Sequence, residues 1–373
     1  MNIFYDENMP YAADFFKDIG HLHPFAGRTL SAEAIKEADV LLVRSITQVN
    51  KTLLEKNTRL KFVGTATIGV DHIDQAYLQQ RGIGFSSSPG CNAISVAEYV
   101  LSSLVILAER YCLTLSEMTV GIVGAGNTGS RLSEKLDALG IKYLLCDPLL
   151  AEQSSDKRIF STLDEVLACD VISLHVPKTM TGEYATYHLL DHGRLSQLSD
   201  QQILINACRG EVIDNKALLA LKNSGREFKL VLDVWEDEPN ILHELIPFCE
   251  ISTAHIAGYS LEGKARGTEM LYQALCQQLE ITPKKQLKNY LIEANISGLT
   301  INQPFNEILL NQLVKLVYDV RRDDGIFRQQ IFSHGFDHIR KNYPARREFS
   351  AMKISMTEQA KSDVWYHLGF NNV

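Results

Sequence analysis

Paired cysteines and an excess of positive charge are both missing from this sequence. The seven cysteines are scattered along 373 residues without a C-x-x-C pair, which argues against a disulfide framework and against a zinc site. The formal net charge of -8 gives no long-range attraction to nucleic acid or to an acidic membrane surface. We therefore expect reduced thiols, no metal and no nucleic-acid partner.

Long apolar segments are missing as well. The longest apolar run, in VLSSLVILAERYC, is too short and too quickly followed by charge to span a bilayer. The acidic start MNIFYDENMP lacks the basic and apolar parts of a secretory signal. Hydrophobic residues make up 45% and charged residues 22% of the chain, as in ordinary globular proteins of two or three domains. We expect a cytoplasmic protein without membrane contact.

Short continuous apolar runs alternate with helical segments through the first two thirds of the chain, among them ADVLLVRS, TVGIVGAG, DVISLHVP and LVLDVWE. Continuous apolar strands are typical of parallel sheets that are covered by helices on both faces. The pattern predicts an α/β fold with two doubly wound parallel-sheet domains. We place the first domain at residues 1–94, completed by about 259–282, and the second at 95–258.

The pattern changes beyond residue 282, and residues 283–373 are predicted to form a C-terminal α+β domain. KNYLIEANI predicts a strand, and NEILLNQLVKLVYDV places its apolar residues on one helical stripe. This region has no cofactor or nucleophile motif. We therefore expect it to serve structure or assembly rather than chemistry.

A glycine-rich motif marks the second domain. Gly124, Gly126 and Gly129 have the G-x-G-x-x-G spacing in VGIVGAGNTGSRLSEKL, between a predicted strand and a predicted helix. Such glycines permit a tight turn, the approach of a pyrophosphate and close helix–strand contact, and the helix N-terminus attracts the anion. Asp147, at the end of the next strand, suits ribose hydroxyls and repels a 2′-phosphate. The motif predicts NAD; the alternative is a structural turn with a helix-capping aspartate.

Three stretches place a chemically active side chain just beyond a predicted strand. They are Arg209 in INACRGEVID, Glu238 in LDVWEDEP and His255 in TAHIAGY. Ligands of doubly wound sheets lie beyond the carboxyl ends of the strands, so we predict that these side chains converge. Taken singly, they are equally explained as a surface ion-pair residue, a solvated acid and a core histidine.

Together and in this order, the motifs resemble those of the D-2-hydroxyacid dehydrogenases, over roughly residues 1–280. N-x-x-R-G matches NACRG, D-V-x-x-x-E-P matches DVWEDEP, and the histidine follows in HIAG. The resemblance implies a flavodoxin-like substrate domain and a Rossmann NAD domain. The side chains suit these roles: Arg209 holds a carboxylate, His255 accepts the hydroxyl proton, and Glu238 fixes the tautomer of the ring.

The resemblance also implies further residues of the cofactor pocket. Asp233 is expected on the nicotinamide side. Cys208 is interpreted as a packing residue of the pocket, because the chemistry requires no thiolate. The remaining expected pocket residues are Asn127, Thr128, Val176, Ala207, Arg209 and Gly258.

In finer detail the chain resembles a branch of this family that acts on a phosphorylated 2-hydroxy acid and forms a homodimer through its C-terminal domain. The resemblance lies in LLVRSITQVN, SPGCNAISVAEYVLSSL and HIAGYSLEGKARGTEM. Ser45 and Thr67 are expected to hold the polar end of the substrate, although ordinary turn capping explains either residue equally well. Tyr259 is expected to donate a further hydrogen bond. Arg44 is a candidate for the phosphate by adjacency alone.

Two other functions stay open at this point. The chain can be a D-2-hydroxyacid dehydrogenase that acts on another acid, such as 3-phosphoglycerate or glycerate, since few pocket contacts decide the substrate. It can also be a non-catalytic NAD-sensing protein on the same scaffold. The intact set of Arg209, Glu238 and His255 disfavours the sensing protein.

Overall fold

The structure is a computed structural model that describes residues 1–373. It consists of two compact units. Unit 1 comprises Met1–Asn92 and Ser260–Glu293, and unit 2 comprises Ala93–Tyr259 and Ala294–Val373.

The strands and helices are numbered in chain order. The strands are β1 (Asn2–Asp6), β2 (His21–Phe25), β3 (Val40–Val43), β4 (Phe62–Thr65), β5 (Gly84–Ser86), β6 (Thr119–Val123), β7 (Lys142–Cys146), β8 (Val171–Leu174), β9 (Ile203–Asn206), β10 (Lys229–Leu232), β11 (Ile251–Ser252), β12 (Gly298–Ile301), β13 (Lys353–Met356) and β14 (Asn371–Asn372). The α-helices are α1 (Ala12–Phe16), α2 (Lys51–Leu54), α3 (Gln75–Gln80), α4 (Ala93–Tyr111), α5 (Asn127–Leu139), α6 (Pro148–Ala151), α7 (Leu163–Leu167), α8 (His192–Gln197), α9 (Asn215–Asn223), α10 (Leu261–Gln278), α11 (Glu307–Val317), α12 (Val320–His334), α13 (Phe336–Lys341) and α14 (Val364–His367). Short 3₁₀ helices occur at Gly27–Thr29, Leu115–Glu117, Gly210–Val212, His243–Phe248, Leu287–Asn289, Phe349–Ala351 and Glu358–Ala360.

Unit 1 is built on a five-stranded sheet of order β2-β1-β3-β4-β5, in which all pairs are parallel. The central strands β3 and β4 are buried along their whole length, as expected for a sheet covered on both faces. Helix α10 packs closely on this sheet, since a Cβ atom on Gly64 would lie 3.0 Å from Leu271. The strand order confirms the predicted flavodoxin-like arrangement.

Unit 2 contains a six-stranded sheet of order β11-β10-β9-β8-β6-β7, again with parallel pairs. The order reverses between β6 and β8, which is the topological switch point where such sheets bind ligands. The apolar helix α4 is buried over most of its length and packs in the core of this unit. The Rossmann-type architecture predicted for the NAD domain is confirmed.

The C-terminal part of the chain adds a small third sheet of order β12-β13-β14, so its predicted α+β character is also confirmed. Residues 294–373 group with unit 2, whereas the residues just before them group with unit 1. The prediction of a strand in KNYLIEANI is wrong. After a 3₁₀ turn the segment is irregular until β12 begins at Gly298. Ile292 and Ile296 are exposed there, so no neighbouring strand buries the apolar side chains on which the prediction depended.

Two expectations about the whole chain can be compared with the structure. None of its helices combines the length and the apolarity that crossing a bilayer requires. Each of the seven cysteines is a free thiol.

Candidate active site

The three predicted catalytic side chains follow three neighbouring strands of the unit 2 sheet. Arg209 comes after β9, Glu238 after β10 and His255 after β11, and these strands are adjacent in the order β11-β10-β9. The carboxyl ends of parallel strands meet at one edge of a sheet. The structure therefore places all three residues at the edge where the sequence pattern predicted them.

Glu238 and His255 are in direct contact. Oε2 of Glu238 lies 2.8 Å from Nδ1 of His255, and Oε1 of Glu238 accepts a hydrogen bond of 3.0 Å from the backbone N–H of Trp235. An ionised carboxylate can only accept, so Nδ1 carries the hydrogen and Nε2 keeps its lone pair. The side chain of His255 is 32% exposed, which lets Nε2 reach a ligand.

The charges around Glu238 keep its carboxylate ionised. Burial by itself would raise the pKa of Glu238, but the His255 ring, followed by the Arg340 guanidinium, lowers it more, and the net pKa lies below the ordinary value. Glu238 is therefore an anion at neutral pH. It can stabilise the imidazolium that forms when His255 accepts a proton.

Asp233 holds the backbone around His255. Its carboxylate is 1% exposed and accepts hydrogen bonds from Thr253 Oγ1 at 2.6 Å, from the N–H of Ile256 at 2.7 Å and from the N–H of Ala257 at 2.9 Å. The His255 N–H donates to the Asp233 carbonyl at 2.6 Å. Sequence reasoning missed this positioning role, and the expected contact of Asp233 with the nicotinamide side stays a prediction.

The loop that carries Arg209 is closely packed. The Asn206 side chain accepts from the N–H of Cys208 at 3.2 Å and donates to the carbonyl of Arg209 at 2.9 Å. A Cβ atom on Gly210 would lie 1.9 Å from the carbonyl of Trp235, so only glycine permits this approach. Asn and Gly in N-x-x-R-G thus fix the backbone on either side of the half-buried Arg209.

The three motif glycines have different roles. Gly124 has φ +93°, and a Cβ atom there would lie 2.6 Å from the carbonyl oxygen of His175. A Cβ atom on Gly129 would lie 2.0 Å from the carbonyl oxygen of Gly124, whereas one on Gly126 would meet nothing within 4 Å. Gly124 and Gly129 therefore serve packing. The space at Gly126, in front of helix α5, fits a dinucleotide pyrophosphate.

The other residues predicted on the adenosine side lie near this turn. Asn127 is exposed and Thr128 half-buried in the first turn of α5. Asp147 follows β7, and its carboxylate accepts from the N–H of Ala125 at 2.9 Å and from the N–H of Leu150 at 3.2 Å. Asp147 therefore caps α6 and contacts the glycine turn, as the capping alternative requires. Its hydrogen bond to the ribose of NAD stays a prediction.

The remaining predicted pocket residues surround the glycine turn and the catalytic loops. The Val176 side chain would be 2.9 Å from a Cβ atom on Gly124. Cys208 is buried, and burial raises the pKa of its thiol to about 11, so the thiol stays protonated and serves packing. Ala207 and Gly258 are half-buried. The cofactor contacts of these residues stay predictions.

The substrate residues predicted in unit 1 follow the adjacent strands β3 and β4. The Thr67 hydroxyl donates to the carbonyl of Gly69 at 2.9 Å and lies 2.7 Å from the Thr65 hydroxyl, which supports its turn-forming alternative. Ser45 is half-buried. Arg44 donates to the carbonyl of Asn8 at 3.1 Å. None of these contacts tests the substrate roles, which stay predictions.

Tyr259 has a partner that sequence reasoning missed. Nη2 of Arg340, on helix α13, donates to the Tyr259 hydroxyl at 3.0 Å. The two residues are 81 positions apart, and no motif distinguishes Arg340 from the neighbouring basic residues. Only the tertiary structure reveals this pair.

One further group of potential metal ligands lies in unit 2. Donor atoms of His188, Asp214 and Glu236 lie within 4.8 Å of one another. Nε2 of His188 is 2.7 Å from Oε1 of Glu236, and Oε2 of Glu236 accepts from the N–H of Asn215 at 3.2 Å. These contacts join the loops around α9, and we assign no metal to the group.

Comparisons with known proteins agree with this geometry. Residues 106–257 match the family model "D-isomer specific 2-hydroxyacid dehydrogenase, NAD binding domain". Residues 290–369 match a domain of unknown function. The NAD-binding match covers the glycine motif and all three strand-end residues Arg209, Glu238 and His255.

Several relatives are similar over their whole length. The erythronate-4-phosphate dehydrogenase of Colwellia psychrerythraea is 62% identical, with 100% of both chains covered. That of Tolumonas auensis is 53% identical, with 100% of this chain and 99% of the relative covered. Among solved structures, D-lactate dehydrogenase from Aquifex aeolicus, complexed with NAD and lactic acid, has a TM-score of 0.61 at 28% identity and covers 75% of this chain and 96% of its own.

Proposed function

Because the chain belongs to the erythronate-4-phosphate dehydrogenases, within the D-isomer-specific 2-hydroxyacid dehydrogenase family, we propose that it oxidises 4-phospho-D-erythronate with NAD. The 2-hydroxyl group becomes a ketone, and the product is 2-oxo-3-hydroxy-4-phosphobutanoate. By the resemblance of the sequence, this is a step of pyridoxal phosphate (vitamin B6) biosynthesis. The observation that carries the proposal is the contact of 2.8 Å between Glu238 and His255 at the sheet edge that also presents Arg209.

The proton of the substrate hydroxyl moves to Nε2 of His255. This nitrogen has the lone pair, because Nδ1 donates its hydrogen to Glu238. The imidazolium formed is stabilised by the carboxylate of Glu238. Release of that proton to solvent restores the starting state of the pair.

The C2 hydrogen leaves with its electron pair, so the alcohol carbon is oxidised. NAD, when bound at the glycine turn, supplies the acceptor for this hydride. Arg209 offers a planar fork of donors to the substrate carboxylate. That contact orients C2 and keeps the hydroxyl directed at His255.

The contacts that select this substrate follow from the resemblance. Ser45 and Thr67 hold polar groups of the acid, and Tyr259 donates a hydrogen bond to it. Arg44 is included by adjacency alone, as a guanidinium that can bind the phosphate. The position of Ser45 and Thr67 directly beyond neighbouring strands of one sheet supports this part of the proposal.

The protein acts as a cytoplasmic homodimer that assembles through its C-terminal part. Ile308 and Phe332 in this part are 74% and 73% exposed, and we expect the dimer contact to include them. Multi-angle light scattering tests the dimer, and Phe332→Glu is expected to shift it toward monomer. The scattered free thiols support a reducing compartment.

The decisive experiment is single-turnover formation of reduced nicotinamide by the purified protein with NAD. 4-Phosphoerythronate, 3-phosphoglycerate and glycerate are tested separately, because slow product release can conceal chemistry in steady-state assays. A signal with 4-phosphoerythronate alone supports the proposal. A signal with another acid alone would show that the protein is a dehydrogenase of this family with a different substrate. Silence with all three, with NAD still bound, would favour the NAD-sensing alternative.

A further inference from the structure

The C-terminal segment, residues 294–373, holds the backbone on both sides of His255. Before His255, the Asp324 carboxylate accepts from the N–H of Ser252 at 2.8 Å and from its hydroxyl at 3.0 Å. After His255, Nη1 of Arg346 donates to the carbonyl of Ala257 at 2.9 Å. His255 itself has φ +55°, an unfavourable backbone conformation that persists only where the surroundings hold it.

Arg340, also in the C-terminal segment, binds the side chain of Tyr259. Its Nη2 donates to the Tyr259 hydroxyl at 3.0 Å, and its guanidinium lies 5.6 Å from the centre of the Tyr259 ring. Its Nε is buried and has no hydrogen-bond partner in the protein. A buried unsatisfied N–H costs stability, so tight packing alone does not account for an arginine at this position.

The charge of Arg340 acts on acidic groups that follow neighbouring strands. Arg340 interacts electrostatically with Tyr259, which follows β11, and with Glu238 and Asp233, which follow β10. The same guanidinium, with the His255 ring, lowers the pKa of Glu238 against the opposing effect of burial. Arg340 thus adds a second guanidinium, besides that of Arg209, to the two carboxylates and the histidine of the site.

We propose that Arg340, supplied by the C-terminal segment, is a positioning residue of the oxidation site. It orients the Tyr259 hydroxyl through the hydrogen bond that it donates. The inference rests on the proposed function for its chemistry, and it assigns a role in catalysis to the region that matches a domain of unknown function.

One consequence follows from the chemistry of a guanidinium. Arginine only donates hydrogen bonds, so the Tyr259 oxygen accepts from Arg340 and its own hydrogen is directed away from the guanidinium, as a donor to substrate. Removal of Arg340 therefore weakens the hydrogen bond that Tyr259 donates to the substrate.

The test compares Arg340→Gln, Arg340→Lys, Tyr259→Phe and Lys341→Gln. Lys341 is exposed and lies on the same helix α13, so Lys341→Gln is the matched control for loss of one charge. Two readouts are taken: kcat and KM for 4-phosphoerythronate, and the Kd for 4-phosphoerythronate by calorimetry with NADH bound, which does not depend on turnover. The double variant Arg340→Gln/Tyr259→Phe is measured in the same way. Thermal unfolding and NAD affinity are measured on every variant.

Arg340→Gln is expected to lower kcat/KM roughly 10- to 100-fold and to leave NAD affinity unchanged. Tyr259→Phe should raise the KM and the Kd for the substrate several-fold, and adding Arg340→Gln to Tyr259→Phe should change them little further, since Arg340 acts through the Tyr259 hydroxyl. Arg340→Lys should restore only part of kcat/KM, since an ammonium lacks the planar fork.

An Arg340→Gln protein whose substrate Kd and kcat/KM match those of Lys341→Gln would overturn the proposal, and so would an effect of Arg340→Gln that is equally large with and without the Tyr259 hydroxyl. If the wild-type protein binds 4-phosphoerythronate but fails to oxidise it, the proposed function fails, while the binding measurements still decide whether Arg340 acts through Tyr259.

Discussion

Nδ1 of His255 lies 2.8 Å from Oε2 of Glu238, and this contact joins the loops that follow two neighbouring strands. The second oxygen of the same carboxylate is held by the backbone N–H of Trp235. Glu238 is therefore fixed at both oxygens, and the ring of His255 is fixed in one tautomer.

Replacing His255 by Asn is expected to abolish proton transfer while leaving the cofactor site intact. Loss of a general base typically costs about 10²- to 10⁴-fold in rate, so kcat should fall by that amount and the Kd for NAD should not change. Stopped-flow absorbance and fluorescence titration measure the two quantities. His192→Asn, at an exposed position, is the control, and near-normal turnover of His255→Asn would show that another group is the base.

Replacing Glu238 by Gln is expected to change the pH dependence of stability. The folded pKa of Glu238 lies below its ordinary value of 4.5, so its contribution is present above pH 4.5 and is lost as the pH falls through the folded value. The free energy of unfolding of the variant should thus be lower than that of wild type at neutral pH and converge with it in acid. Urea unfolding across pH measures this difference; a gap that widens in acid would contradict the assigned direction.

The glycine motif offers a matched pair of substitutions. A Cβ atom on Gly126 meets nothing within 4 Å, whereas one on Gly129 would lie 2.0 Å from the carbonyl oxygen of Gly124. Gly126→Ala should therefore fold normally and lose NAD affinity, because the methyl group occupies the space for the pyrophosphate. Gly129→Ala should lose about 1–3 kcal/mol of stability. Calorimetric NAD titration and thermal unfolding distinguish the two, and undiminished NAD binding by Gly126→Ala would indicate a purely structural turn.

Asp147→Ala is expected to reduce the preference for NAD over NADP by about tenfold or more, since a charged hydrogen bond to the ribose is lost and the repulsion of a 2′-phosphate disappears. The variant also loses a helix cap, worth about 1 kcal/mol. Asp191→Ala removes a comparable cap from α8 and is the control for that loss. If the ratio of NAD affinity to NADP affinity is equal in wild type and Asp147→Ala, Asp147 serves only as a helix cap.

Ser45→Ala and Thr67→Ala test the contacts predicted for the substrate in unit 1. Loss of either hydroxyl should raise the KM for 4-phosphoerythronate several-fold, at about 0.5–1.5 kcal/mol for a neutral hydrogen bond, with less effect on the Kd for NAD. Thr67→Ala should also lower Tm, because the hydroxyl bridges its own loop. Ser31→Ala, at an exposed turn of the same unit, is the control. Unchanged KM in both variants would leave turn formation as their role.

The elements and motifs of the core were predictable because their signals are local. Continuous apolar runs identified the strands of both parallel sheets, and the spacing of Gly124, Gly126 and Gly129 marked the start of helix α5. The position of Arg209, Glu238 and His255 just beyond strands followed from the same runs. The strand predicted in KNYLIEANI failed, since an apolar run becomes a strand only where a sheet edge is present to pair with it.

The sequence by itself determined the α/β architecture, the cofactor turn and the three strand-end side chains, because backbone periodicity and glycine geometry depend on neighbouring residues. Only the tertiary structure decided how the site is held. Asp233 binds the backbone beyond His255, and Arg340 reaches Tyr259 from 81 positions away. Such contacts depend on how distant segments pack, and a buried carboxylate or guanidinium takes its partners from the fold rather than from the residues beside it.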